Sequence, residues 1–215
     1  MAEAVIFDLD GVLVDSEHVW DGAREALARE RGGRWHEGAQ RDMMGMSSLE
    51  WSRYMHDVIG LADPPEEISA EVVRRVETVY RDRLPVIEGA EEAVTRLSER
   101  FPLGLASSSN RPIIDLFLDV SGIGERFRVT VSSEEVPRGK PSPDVYLEAA
   151  RRLGIAPDRC AAVEDSHNGI LSAKAAGMRV VAIPNRRYPP GPEALAEADV
   201  VLESLRDLTP AVIDG

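Results

Sequence analysis

The chain has a single cysteine, Cys160, so it cannot form an internal disulfide, and a reducing compartment suits it. Lysine is almost missing: of 25 basic Lys and Arg side chains, only Lys140 and Lys174 are lysines. Positive charge is short overall, with 38 Asp and Glu giving a formal net charge of −13. That balance argues against nucleic acid or an anionic membrane as the main partner. It does not exclude a small anionic ligand, because a metal ion can reverse the charge of one site. The N-terminus has no basic region, and Asp8 and Asp10 interrupt the only early apolar run. Neither a signal peptide nor a membrane span is expected, and the cytoplasm is the expected compartment. Repeats and low-complexity tracts are absent, the Pro-rich stretch 188–192 reads as a loop, and no long apolar segment calls for an obligate protein partner.

What is present is an ordinary globular composition: 215 residues, 43% of them apolar, enough for one large or two small domains. Val5 to Asp8 reads as a short buried strand. The next seventy or so residues carry helical stripes (Val19, Trp20, Ala23, Ala26, Leu27; then Trp51, Tyr54, Met55, Val58, Ile59; then Ile68, Val72, Val76, Tyr80). Ser47 with Glu50 forms a capping box, and Gly60 is a stop signal. After Pro85 strands and helices alternate: strands at 103–107, 127–131, 161–164, 179–183 and 199–202, helices at 89–100, 111–120, from 142–143 to about 154, and up to about 177. This pattern predicts a doubly wound α/β core with a parallel, Rossmann-like sheet, formed by residues 1–15 and 85–215. An all-helical cap, residues 16–84, is inserted just after the first strand, and it should lie over the carboxyl ends of the strands, where such sheets bind ligands.

The residues expected at those strand ends carry chemistry. Asp8 and Asp10 follow the first strand; if it continues, both side chains point to one side and repel unless a cation or proton lies between them. A solvated strand-end turn is the plain alternative, and a calcium loop fails on the spacing of Gly11. Ser107, Ser108, Ser109 and Asn110 precede a helix and can form an anion cradle or simply cap it. Lys140 stands between Gly139 and Pro141, a constrained place for a point charge toward phosphate, or for a solvated loop lysine. Glu164 and Asp165 can bind a hard cation, or Asp165 can cap the next helix. Taken together, the four strand ends supply a nucleophile, a metal site, a hydroxyl and a cation, the set needed for phosphoryl transfer through an aspartyl-phosphate.

The stretches "FDLDGVLVDSE", "LASSSN", "GKPSPDVYLEAA" and "VEDSHNGI" resemble the haloacid dehalogenase superfamily, in the subgroup with a helical cap that includes phosphatases and β-phosphoglucomutases. The resemblance implies that Asp8 is the nucleophile and Asp10 the general acid and then base. Ser107 and Lys140, with Ser108 and Asn110, would hold the phosphoryl oxygens. Mg²⁺ would be bound by Asp8, the backbone carbonyl of Asp10, Asp165 and Glu164. A small phosphorylated metabolite is the expected substrate.

Asp10 speaks against dehalogenation, since an alkoxide leaving group needs an acid. The β-phosphoglucomutases carry a histidine and an arginine where this chain has Trp20 and Ser48, while His18 lies two residues off, so a hydrolase is expected over a mutase. A receiver-like phospho-acceptor module without turnover is the third reading, opposed by Asp10 and by the large lid. Met43, Met44 and Met46 around Gly45 are expected either to meet substrate or to pack the cap core, with hinges near 15–16 and 85–89.

Overall fold

The computed structural model describes residues 1–43 and 46–215. Strand β1 (Ala4–Phe7) is the axis of the molecule, and all four of its residues are fully buried. Val5 and Phe7 face one hydrophobic core and Ala4 and Ile6 the other, the period-two alternation of a strand covered on both faces. Four helices follow: α1 (Glu17–Glu30), α2 (Ala39–Met43), α3 (Ser48–Asp57) and α4 (Pro65–Asp82). The core then continues through α5 (Ala90–Ser98), β2 (Leu103–Ser107), α6 (Arg111–Val120), β3 (Phe127–Ser132), α7 (Asp144–Leu153), β4 (Cys160–Glu164), α8 (His167–Ala175), β5 (Arg179–Ala182), α9 (Pro192–Leu195), β6 (Val200–Val201) and α10 (Pro210–Asp214).

All six strands are parallel, in the order β3-β2-β1-β4-β5-β6. The chain builds outward from β1 in one direction and then from β1 in the other. That reversal leaves a crevice beyond the carboxyl ends of β1, β2 and β4, where open α/β sheets bind ligands. Phe7 pairs with Leu105 on one side and Val163 on the other, so residue 8 emerges between the ends of β2 and β4.

The helical cap is held by burial more than by propensity. Helix α4 is rich in Val, a weak helix former, yet Ile68, Val72 and Val76 are fully buried. Each such side chain contributes roughly 1.5–3 kcal/mol of burial. Helix α4 packs on α1 and α3 within the cap and reaches α6 of the core. The Ser47–Glu50 capping box starts α3, with the Ser47 N–H donating to Glu50 Oε2 at 2.8 Å. The two chain crossings between cap and core run side by side: Val14 and Val86 form an antiparallel bridge, and the Asp15 N–H donates to the Pro85 carbonyl at 2.8 Å.

Some elements differ from expectation. Helix α2, at five residues, is too short to show a helical period, and α9 and α10 escape for the same reason. β6 is an edge strand of two residues rather than four. Among the described residues, no helix is long and apolar enough to cross a membrane.

Candidate active site

β1 stops at Phe7 and does not run on through Asp10. Gly11, at φ +80°, turns the chain, and the Leu13 and Val14 N–H groups both donate to the Leu9 carbonyl. The turn separates the two aspartates into different environments.

Asp8 is buried at the centre. Its N–H is anchored to the Val163 carbonyl at 3.0 Å, and its Oδ1 accepts from Lys140 Nζ at 2.5 Å. Lys140 is 7% exposed, which removes the solvated-loop reading. Its ammonium also donates to Glu164 Oε1 at 2.6 Å and to the Ala106 carbonyl at 3.1 Å. Burial alone would lower the Lys140 pKa, but the charges of Asp8 and Glu164 outweigh it and hold the ammonium above its usual value. Burial pushes the Asp8 carboxyl up to about 8, with Lys140 pulling down and Glu164 and Asp10 adding to the rise. Glu164 also accepts from the Tyr146 hydroxyl at 2.8 Å and from the N–H groups of Asp165 and Ser166.

Asp8, Glu164 and Asp165 each bring a carboxylate oxygen within 4.8 Å of the others. Asp165 is buried, burial and the charges of Glu164 and Asp8 hold its pKa well above the usual carboxylate range, and its Oδ1 has no hydrogen-bond partner. The helix-capping reading for Asp165 fails, because Ser166 caps α8 by accepting from the Gly169 N–H at 3.1 Å. An orphaned carboxylate oxygen among hard oxygen donors fits a divalent cation of the Mg²⁺ type. Two glycines clear the space: a Cβ on Gly11 would lie 1.9 Å from Asp165 Oδ2, and one on Gly169 would lie 1.9 Å from Glu164 Oε1. The Asp10 side chain is engaged elsewhere.

The Asp10 carboxylate sits in a cradle of donors. Oδ2 accepts from the Ser107 hydroxyl at 3.1 Å and the Ser109 hydroxyl at 2.7 Å; Oδ1 accepts from the Trp20 indole N–H at 3.3 Å, a bond from cap to core. The serines thus do not cap α6; Asn110 occupies the cap position without a side-chain cap bond. The loop is braced from the end of β3 by the Ser132 and Ser133 hydroxyls, which donate to the Ser109 and Ser108 carbonyls. Asn110 Nδ2 donates to Glu134 at 2.7 Å.

Asp8, Asp10, Ser108, Ser109, Asn110 and Lys140 line the core side of a cavity of about 110 Å³, with Ser107 fully buried behind them. The opposite wall comes from the cap: Glu17, Trp20, Asp21, Arg24, Gln40 and Trp51, with Met43 and Met46. Of the methionine loop, Met44 and Gly45 lie outside the described residues. His18 is on the outer side, 3.7 Å from Asp15. Sequence reasoning missed most of this wall. The available signal was the 17, 20, 21, 24 spacing, which puts two acids and an arginine beside a tryptophan on one face of α1.

A family model for haloacid dehalogenase-like hydrolases matches residues 2–177. The chain is 33% identical to hexitol phosphatase B of Escherichia coli, over 96% of this chain and 94% of that protein. It is 31% identical to validoxylamine A 7'-phosphate phosphatase of Streptomyces hygroscopicus, over 97% and 96% of the two chains. The crystal structure of CbbY from Rhodobacter sphaeroides in complex with phosphate superposes with a TM-score of 0.89 at 26% identity, over the whole of both chains. The β-phosphoglucomutase of Clostridium difficile has the same fold, with a TM-score of 0.84 at 24% identity over 99% and 95% of the chains. The chain therefore belongs to the haloacid dehalogenase-like hydrolases, among relatives named as phosphatases.

Proposed function

We propose that this phosphoric monoester hydrolase is a Mg²⁺-dependent phosphatase of small phosphorylated metabolites that works through an aspartyl-phosphate on Asp8. The observation that carries the reading is the split of the two aspartates: Asp8 is buried against Lys140 beside the other acids, while Asp10 is held two residues on by hydroxyls and an indole. An Asp8 oxygen attacks phosphorus as the ester P–O bond breaks, and protonated Asp10 gives its proton to the leaving oxygen. Asp10 then takes a proton from water, whose oxygen attacks the phosphoryl group, releasing phosphate and restoring Asp8. Lys140 draws Asp8 toward its ionised form, orients it and offsets charge on the phosphoryl oxygens, for which Ser108, Ser109 and Asn110 offer further donors. Mg²⁺ held by Asp8, Asp165, Glu164 and the Asp10 carbonyl would neutralise phosphoryl charge.

Phosphatase names among the relatives support hydrolysis. Trp20, at the place where the mutases carry a histidine, fills that place with an indole bonded to Asp10, which favours a hydrolase over a mutase. We further propose that the cap comprises residues 16–84 and closes about the paired crossings. The test is phosphate release from a panel of small esters with and without Mg²⁺, followed by acid quenching and mass spectrometry for a phosphoryl group on Asp8. Asp8→Asn should abolish release while leaving the folded state intact. Full activity in that variant, or in the presence of chelator, would sink the mechanism.

A further inference from the structure

We propose that the cap wall of the cavity selects a neutral, polyhydroxylated leaving group and turns away esters that carry a second phosphate or a carboxylate. The proposal rests on the phosphatase reading, because that reading places the phosphoryl group at the core side of the cavity and the rest of the ester against the cap.

The described cations lining the cavity are Lys140 and Arg24. Lys140 is committed to Asp8 and Glu164. Arg24, 8% exposed, is set in place: its guanidinium carbon lies 5.4 Å from the Trp20 ring centroid and 4.9 Å from that of Trp51, and its Nη1 is 3.6 Å from Asp21. Glu17 stands one turn of α1 before Asp21 on the same wall. Arg24 on the wall and Arg187, whose charge also acts on Glu17 and Asp21, are balanced by those two carboxyl groups, so the cap end offers a distal anion little net attraction. Burial raises the carboxyl pKa of Asp21 to about 6 and of Glu17 to about 7, so both carry their charge at pH 8, where the comparison below is made.

The unfilled hydrogen-bonding positions point to the same ligand. Asp21 Oδ2, Arg24 Nε and Gln40 Nε2 are buried without partners, one acceptor and two donors. A phosphate or carboxylate can only accept, and would leave Asp21 unpaired and repelled. Hydroxyl groups donate and accept, so vicinal hydroxyls can satisfy all three positions. An alkyl chain satisfies none of them, and a site built to bond hydroxyls discriminates strongly against analogues that lack them. Met43, Met46 and the two indoles give the carbon skeleton an apolar surface.

The test compares kcat/KM of the full chain with Mg²⁺ at pH 8 for glucitol 6-phosphate, glucitol 1,6-bisphosphate, 6-phosphogluconate and hexyl phosphate, with p-nitrophenyl phosphate as a reporter of the chemistry alone. Glucitol 6-phosphate is expected to exceed each of the other three alkyl esters by about tenfold or more. Asp21→Asn should narrow the monophosphate-to-bisphosphate ratio by about tenfold, mainly through KM, because one repelling charge is gone. The ratio is taken on one preparation, so any misfolded fraction cancels. Comparable kcat/KM for the bisphosphate or the phosphogluconate, or a ratio unmoved by Asp21→Asn, overturns the proposal while p-nitrophenyl phosphate turnover preserves the phosphatase reading. Failure to turn over any of the five esters overturns that reading, and this proposal with it.

Discussion

Lys140→Met is the most demanding test of the site's electrostatics. The substitution keeps most of the aliphatic stem and removes the ammonium that bonds Asp8 at 2.5 Å and Glu164 at 2.6 Å. Both carboxylates are buried, and breaking such a pair by removing one partner costs about 3–5 kcal/mol. The cost should depend on pH. Lys140 itself stays charged across the neutral range, since its pKa is held above the ordinary lysine value. Asp8 is already raised to about 8 in the parent protein with the ammonium pulling it down, and in the variant it rises further. The folded variant then holds a proton on Asp8 to higher pH than the parent does, so the deficit grows as pH rises through 8. Urea unfolding followed by tryptophan fluorescence, in chelator, should therefore show a deficit of about 3–5 kcal/mol at pH 9 that is smaller at pH 6, where both proteins hold that proton. A deficit below about 1 kcal/mol at pH 9, or one equal at both pH values, would refute the view that the ammonium offsets the buried charge of these acids.

Other outcomes follow from the same geometry. Gly11→Ala places a Cβ at φ +80°, 1.9 Å from Asp165 Oδ2; it should lose about 1–3 kcal/mol of stability and raise the Mg²⁺ concentration needed for half-maximal activity, and unchanged metal dependence would contradict the fit. Trp20→Phe removes the indole donor to Asp10 and should lower kcat severalfold, as loss of a bond worth about 1 kcal/mol implies; an unchanged kcat would show the contact to be incidental. The metal-free parent should lose stability as pH rises from 5 to 8, because Asp8, Glu17 and Asp21 have folded pKa values of about 8, 7 and 6, all above their unfolded values, so the native state releases protons there. Saturating Mg²⁺ should flatten that slope in a chemical-denaturation series, and a slope unaffected by metal would place the proton release away from Asp8 and Asp165.

The core was legible because its signals are local and repeated. β1, β2 and β4 appear as apolar runs that end in chemistry, and Lys140 stands out in a chain of arginines. The resemblance supplied the order in which those ends converge. Three features resisted. Asp8 and Asp10 were expected on one side if the strand continued; it stops at Phe7, and although both line the cavity they have separate partners. Ser109, which looked like part of a generic cradle, makes the shorter of the two serine bonds to Asp10. The cap wall was hidden because the stripe that fixes α1 in the cap core also contains Trp20, and hydrophobic spacing alone does not separate a packing face from a cavity face.

The paired crossings at Val14 and Val86 carry a consequence for ancestry and engineering. A module whose two ends lie side by side adds little strain to its host and little loop-closure entropy, however long it is. A cap exchanged between relatives and cut at the bridge is therefore expected to leave the register of β1 with β2 and β4 undisturbed. On the proposed reading of the cavity, reaction chemistry and substrate choice would then be separately heritable, the first written in the sheet and the second in a replaceable helical insert.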